Sequence, residues 1–309
     1  MLLAGFDAGQ TTTRCRISRL AGDRHQLLAT GSGPGVSHLE AAGGIERFQT
    51  AIRSSAADAG PIGRLDAAAI GASGIERGTA LEGRASQLIA QTLDLPPERA
   101  LATGDERTAL RGAFDDQAGI VAISGTGMIC IGRNDRGLEH RSGGWGWRLD
   151  GAGSAFDLGH QGLQLCLRMA DGRLPDHPLR NELWNQLGCN SSVDIKALVI
   201  RPDFGAAEFA ALAPTVVAAA EAGLSEARRI VDRSADAQAE AVQSVAMALG
   251  ISQPRVVGQG GAFENLQPFR IAVEQALANR LPGARWCQPL GDACDGALNL
   301  ARELLIRPR

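Results

Sequence analysis

A two-domain α/β protein built on mixed sheets is the fold this sequence predicts, and three observations carry it. The apolar run Ile120–Ile123 stops at Ser124-Gly125-Thr126-Gly127 and resumes at once as Met128–Ile131, the pattern of a tight hairpin. The chain opens with the same grammar: Leu2–Phe6, then Asp7-Ala8-Gly9-Gln10-Thr11-Thr12-Thr13-Arg14, then the alternating run Cys15–Leu20. After each hairpin, short apolar strands exchange with segments of helical spacing, and 309 residues are enough for roughly two buried cores.

In the first half, Leu2–Phe6 reads as a buried strand, Cys15–Leu20 as its return, and Leu27–Thr30 as a third strand. Gly31-Ser32-Gly33-Pro34-Gly35 is a loop, and Ser37 is expected to cap a helix that runs towards Ala57 with Leu39, Ile45, Phe48, Ala51 and Ile52 on one face. Ala67–Ile70 is a strand ending in Gly71-Ala72-Ser73-Gly74, and a helix spans about Gly83 to Thr92. Pro96-Pro97 leads into a short strand at Ala100–Ala102, which delivers Gly104-Asp105-Glu106 and a helix through Phe114. Ligands of such sheets bind at strand ends, where Asp7, Ser73 and Asp105 all fall.

In the second half, the central hairpin is followed by a polar turn from Arg133 to Gly137 and by the loop Gly143-Gly144-Trp145-Gly146-Trp147. Helix is predicted from Gly153, and Leu179 to Leu249 is almost wholly helical, broken at Pro202 and Pro214, with Ile230, Val231, Val242, Val245 and Leu249 as its core stripe. A late strand, Arg255–Val257, runs into Gly258-Gln259-Gly260-Gly261-Ala262-Phe263; a helix follows from about Asn265 to Arg280, and a last one ends near Leu305. The expected division is 1–115 and 116–309, with the last helix free to pack back on the first half.

Composition narrows the function classes. A net charge of −3 with both signs spread along the chain gives no basic footprint for nucleic acid and no polybasic membrane patch. No apolar run approaches the roughly 20 residues of a membrane span, and the first strand begins too early for a secretory leader, so a cytoplasmic protein is expected. The six cysteines show no Cys-x-x-Cys pair and no Cys/His ligand spacing, which suits small buried hydrophobes in a reducing compartment.

The two glycine-rich turns carry the chemistry. Small and hydroxyl side chains leave backbone N–H groups uncovered, and Ser124 and Thr126 can donate beside them, the means by which proteins cradle phosphate oxygens. Asp7, at the mouth of the first turn, can hold a metal ion through water, since Mg²⁺ keeps much of its hydration. Around Trp145, glycines admit a ligand to the main chain and the tryptophans can wall it in. Asp115, Asp116 and Asp157 read as solvated or capping acids.

The order of these pieces carries a resemblance: Asp7 to Arg14, Asp105 at a helix start, Ser124 to Gly127, Gly143-Gly144-Trp145-Gly146, Gly153-Ser154, Gly260-Gly261-Ala262-Phe263, then Pro289 and Gly296-Ala297. The chain resembles the BadF/BadG/BcrA/BcrD ATPase family and, within it, the N-acetylglucosamine kinases, over nearly its whole length. The resemblance implies a two-lobed actin/hexokinase-like (ribonuclease H-like) fold, duplicated mixed-sheet domains around a nucleotide cleft, with ATP and Mg²⁺ bound there. It gives Gly9, Gln10, Thr11 and Thr12 to the outer phosphates, Asp7 to hydrated Mg²⁺, and Ser124, Gly125, Thr126 and Gly127 to the phosphates from the other side. It gives Gly260 and Gly261 to the nucleoside, and Gly143, Gly144, Trp145, Gly146 and Asp150 to the acceptor. Asp105 becomes the base that takes the proton of an attacking hydroxyl. The expected partner is a sugar or amino sugar, and a homodimer is compatible with the chain.

Two departures bear on the acceptor. The family's sugar kinases usually show Gly-Asp-Glu-Gly-Ser where this chain has Asp150-Gly151-Ala152-Gly153-Ser154, so the sugar-binding acid is missing from its expected place, and Asp150, one residue early, is the candidate to substitute for it if the loop shifts. The loop that usually carries a sugar-binding asparagine reads GPGVSH from Gly33 to His38. Two other readings stay open: an ATPase that couples hydrolysis to conformational change, and a nucleotide-binding regulator without turnover. The cluster-holding cysteines of the family's dehydratase activators have no counterpart here, and retention of Asp105 opposes a regulator.

Overall fold

The computed structural model describes residues 1–22, 24–61 and 63–306. The chain forms two compact units, Met1–Gln117 together with the segment from Gln288 onward, and Ala118–Cys287.

The first unit begins with β1 (Leu2–Ala8), β2 (Thr12–Ala21) and β3 (Arg24–Pro34). It continues with α1 (Gly44–Asp58), β4 (Ala67–Ala72), α2 (Ala80–Leu93), β5 (Ala100–Thr103) and α3 (Asp105–Phe114). The sheet order is β3-β2-β1-β4-β5, antiparallel across the first three strands and parallel from β1 to β4 to β5. β1 is buried on both faces: Ala4, Phe6 and Ala8 join the core that includes Phe48, Ile52 and Ile89, while Leu3 faces a second cluster. Full burial of a side chain such as Phe6 contributes about 1.5–3 kcal/mol.

The second unit repeats the plan. It contains β6 (Gly119–Ser124), β7 (Met128–Arg133) and β8 (Glu139–Gly143), then α4 (Ala155–Ala170), α5 (Pro178–Gln186), α6 (Ser192–Val199), α7 (Ala206–Ala210), α8 (Ala213–Glu221) and α9 (Ser225–Leu249). β9 (Arg255–Gln259), α10 (Gly261–Asn265), α11 (Gln267–Arg280) and the two-residue β10 (Arg285–Trp286) complete it. Its sheet, β8-β7-β6-β9-β10, has the same pattern as the first: two antiparallel pairings, then two parallel ones. The final helix, α12 (Ala293–Ile306), packs on β1, β4 and α3 of the first unit. It comes close because Gly112 and Gly296 face it and α3; a Cβ at Gly296 would lie 1.9 Å from the Thr108 carbonyl oxygen.

Several sequence expectations shift. Ser37 does not cap α1, which starts at Gly44 behind Gly43 in left-handed backbone (φ 72°). α2 starts at Ala80, where the Thr79 hydroxyl accepts from the Glu82 N–H. The helical run is interrupted at Pro214 as expected, with Pro214 in the first turn of α8, where its missing N–H costs nothing. The helix expected from Asn265 is two, α10 and α11, with Pro268 in the first turn of α11. β8 had no apolar alternation to reveal it, because Glu-His-Arg-Ser-Gly is an edge strand with no buried face. Among the described residues no single helix is long and apolar enough to cross a membrane.

Candidate functional site

In the first unit the parallel register places Asp7 of β1 beside Gly71 of β4, and Gly71 beside Thr103 of β5. The C-terminal ends of three strands thus share one edge, where Asp7, Ser73 and Asp105 come together, as the strand-end pattern anticipates. The turn between β1 and β2 is closed by the Gly9 N–H donating to the Thr12 carbonyl at 3.1 Å, and the Val36 N–H reaches the Gly9 carbonyl at 3.0 Å. Gly35 lies hard against it: a Cβ there would sit 2.1 Å from the Gln10 carbonyl oxygen. Gln10, Thr11 and Thr12 are exposed, whereas Thr13 is buried with its hydroxyl donating to the Pro34 carbonyl at 2.8 Å.

Asp7 has a protein partner that the sequence reading did not assign. Arg14 stands directly opposite it in the β1/β2 ladder, and its Nη2 donates to Asp7 Oδ2 at 2.6 Å. Arg14 Nη1 also reaches Asp292 Oδ2 at 3.3 Å, and Arg16 grips both oxygens of Asp292 at 2.9 and 2.8 Å. A four-residue turn sets positions 7 and 14 face to face, so this pair was countable from the hairpin.

Asp105 is the first residue of α3, behind Gly104. Its Oδ1 accepts the Glu106 N–H at 3.0 Å. Desolvation by burial, then repulsion from Glu106 and Asp7, pushes its carboxyl up to about 7. The α3 N-terminus favours the anion, and burial wins. Glu106, in the first turn of α3, is itself buried and folds back over Gly104, where a Cβ would collide with its carboxylate at 2.0 Å.

In the second unit the turn between β6 and β7 is a three-residue loop. The Gly125 N–H donates to the Gly127 carbonyl at 2.9 Å, and both glycines face open space. Ser124 differs from the expected phosphate donor: it is fully buried and its hydroxyl donates to the Gly153 carbonyl at 2.7 Å. A second donor to that carbonyl was missed by sequence reasoning. Gln238 of α9, also fully buried, gives its Nε2 to Gly153 O at 2.9 Å and Ile123 O at 3.1 Å. The signal was present, for Gln238 is a polar residue on the apolar stripe of α9.

Gly260 takes φ 93°, and a Cβ would lie 2.6 Å from the Ser124 carbonyl oxygen, so β9's exit and the β6 turn are packed backbone on backbone. Its N–H is claimed by Glu264 Oε1 at 3.2 Å, while Gly261 opens α10 with its carbonyl accepting from Asn265 Nδ2 at 3.0 Å. Gly143, Gly144 and Gly146 all have positive φ. Trp145 is 61% exposed with the Arg141 guanidinium 5.0 Å from its ring centre, whereas Trp147 packs on Phe156. Asp150 is half-buried and its N–H donates to Gly146 O at 2.9 Å. Asp157 is a buried capping acid in the first turn of α4, its Oδ2 accepting from the Gly153 N–H at 3.3 Å. Asp115 and Asp116 pair with Arg111.

As to metals, the described residues hold no group of three or more His, Cys, Asp and Glu side chains that could chelate an ion unaided. The charge of Asp7 nonetheless adds, after burial and Glu106, to the rise of the Asp105 carboxyl, and a hydrated cation held mainly by phosphate oxygens would relieve that part of it. Burial pushes the thiols of Cys15, Cys130, Cys166 and Cys294 up to about 12, which opposes thiolate ligation.

The sequence model of the BadF/BadG/BcrA/BcrD ATPase family matches residues 4–298. An N-acetylmuramic acid/N-acetylglucosamine kinase of Clostridium acetobutylicum is 29% identical over 206 residues, 66% of this chain and 67% of that protein. An N-acetyl-D-glucosamine kinase of Dictyostelium discoideum is 28% identical over 187 residues, 59% of this chain and 58% of that protein, so the match spans a little over half of that relative's length. Among solved structures, a protein assigned as an N-acetylglucosamine kinase from Chromobacterium violaceum superposes with a TM-score of 0.76 at 28% identity, covering 97% of this chain and 98% of that one. A ROK family glucokinase from Streptomyces griseus, solved with glucose and AMPPNP, shares the fold at a TM-score of 0.61 and 19% identity, covering 98% and 100%. The chain belongs to the BadF/BadG/BcrA/BcrD ATPase family, and its fold is the actin/hexokinase-like one with the mixed sheet duplicated.

Proposed function

We propose, with that membership as the premise, that the protein is an ATP-dependent kinase that phosphorylates a hydroxyl of a sugar, with an amino sugar of the N-acetylglucosamine kind as acceptor and Mg²⁺ as the accompanying ion. The observation that carries this reading is Asp105: a carboxylate at a strand end, beside the first glycine turn, with its pKa at about 7. A general base works best when poised near the working pH.

Each residue then has a role that its surroundings support. The Gly9–Thr12 turn, exposed from Gln10 to Thr12, offers the N–H and hydroxyl donors of those three residues to the outer phosphates, the Gly9 N–H being spent on closing the turn. Thr126 and Gly127 offer main-chain donors and one hydroxyl to the phosphates, with the Gly125 N–H closing the turn on the Gly127 carbonyl and Ser124 and Gln238 fixing it from beneath. Gly260 and Gly261 pass against the nucleoside, and the loop with Trp145, together with Asp150, takes the acceptor. Asp7 would hold the ion through water, and the chemistry a bound Mg²⁺ supplies is neutralisation of charge on the β- and γ-phosphates. Asp105 accepts the hydroxyl proton as the sugar oxygen bonds to the γ-phosphorus and ADP departs with the bridging oxygen.

The ATPase reading without a sugar has one observation in its favour, the acid missing from the place the family's sugar kinases keep it, with only Asp150 nearby. Mass spectrometry after incubation with Mg-ATP and a panel of sugars and amino sugars separates the two. A gain of one phosphate on an amino sugar is expected; a panel that stays unmodified while ADP accumulates would favour the ATPase.

A further inference from the structure

Arg14 is held between two acids of unequal need. Its Nη2 donates to Asp7 Oδ2 at 2.6 Å and its Nη1 to Asp292 Oδ2 at 3.3 Å. Asp292 is already bound on both oxygens by Arg16, and it forms a reciprocal cap with Asp295 at the start of α12, each N–H bonding the other's carboxylate at 3.1 and 3.2 Å. The shorter of Arg14's two bonds therefore goes to the less committed acid. The Arg14 side chain is 53% exposed, and a cavity of about 280 Å³ bordered by Arg16, Ser32, Asp58 and Asp292 leaves it room to turn.

A guanidinium and a hydrated divalent cation make rival demands on one carboxylate. The first binds by directed hydrogen bonds and the second by charge through its water shell, and like charges so close repel. We propose that Arg14 is a built-in competitor of the divalent cation at Asp7: as the cation takes the carboxylate, the guanidinium passes over to Asp292, which it already reaches through Nη1. Asp292 is thus the parking place that makes the exchange inexpensive, and the residue pair sets how much Mg²⁺ the first turn requires. The proposal rests on the Mg-ATP reading above, and its test holds the nucleotide saturating so that only the metal is varied.

The test is a Mg²⁺ titration of the full chain at saturating ADP, followed by melting temperature, with NaCl controls at matched ionic strength. Arg14→Gln removes the competitor, so half of the Mg²⁺-dependent rise is expected at roughly two- to fivefold lower concentration than in the parent, the scale of a solvent-exposed ion pair. Asp292→Asn keeps a capping side chain and removes the charge that receives Arg14, so its midpoint is expected at higher Mg²⁺. Midpoints that move in the same direction, that do not move, or that are absent because neither parent nor variants respond to Mg²⁺ would each overturn the proposal. Failure of the kinase reading registers separately, as unmodified sugar in the product analysis of the parent.

Discussion

The two glycine turns sit at equivalent places in two sheets of the same topology, yet they are held by different physics. The turn after β1 is held from the side by charge: Asp7, Arg14, Arg16 and Asp292 form a half-exposed chain of ion pairs. The turn after β6 is held from beneath by neutral hydrogen bonds, with Ser124 and Gln238, both fully buried, donating to the Gly153 carbonyl. A duplicated backbone has thus been fitted with one electrostatic turn, tunable by ions, and one rigid turn, indifferent to them. Asp105, the proposed base, stands beside the first, where the charge of Asp7 adds to the rise of its carboxyl.

If that division of labour holds, chemistry should fail on one side and binding on the other. Asp105→Asn is expected to lower turnover by roughly 10²- to 10⁴-fold, while calorimetry finds nucleotide affinity within a few-fold of the parent. Full turnover in the variant would leave Asp105 a plain first-turn residue of α3 and remove it from the mechanism.

The charged side should also answer to pH. With the Asp105 carboxyl at about 7, the base is ionised above that value, so kcat/KM should rise through about pH 7 and fall about tenfold per unit on its acid side. The stability sign is opposite. An unfolded Asp titrates near its ordinary value of about 4, so between pH 4 and 7 the folded state alone keeps the proton, and this group's contribution to stability declines as pH rises through that window. Asp105→Asn should therefore melt higher than the parent at pH 8; equal melting at pH 8 would mean the carboxyl is not raised.

The neutral side should respond to Gln238→Leu. Two buried carbonyls lose a donor, at about 1–3 kcal/mol for each group left without one, although Ser124 still serves Gly153. Denaturant unfolding should show the loss, and KM for ATP should rise more than kcat falls. A large fall in kcat with unchanged KM would break the comparison by placing chemistry in the second unit.

The smallest expected effect is the difference in salt response. Raising ionic strength from 0.1 to 1 M shortens the screening length from about 10 to 3 Å, so hydrogen exchange at the Val36 and Gly9 amides should quicken while that at Gly125 stays constant. Equal responses would erase the electrostatic contrast.

Much of this was readable before any coordinates, because turns announce themselves. Asp-Ala-Gly-Gln-Thr-Thr and Ser-Gly-Thr-Gly between apolar runs have few other uses, and strand ends in an α/β sheet predict where Asp7, Ser73 and Asp105 converge. What stayed hidden was direction. Sequence places a hydroxyl at Ser124 but not the way it points, and it points inward. Gln238 was hidden by distance, since 85 residues separate it from the carbonyl it serves, and only its polarity on an apolar stripe gave it away. Glu139–Gly143 stayed illegible because an edge strand with polar side chains carries no period to read. The return of α12 to the first unit depends on close helix contact at Gly112 and Gly296, which composition alone does not distinguish from glycines in loops.

The central claim, that the two turns serve phosphoryl transfer to a sugar hydroxyl with Asp105 as base, is tested most directly by coupled ADP release measured with Mg-ATP in water alone and then with each amino sugar. The account predicts that N-acetylglucosamine or a close relative raises the ADP rate at least a hundredfold over water, in keeping with the scale of positioned base catalysis, and that Asp105→Asn removes the increment. An ADP rate that is the same in water as with every sugar would contradict it.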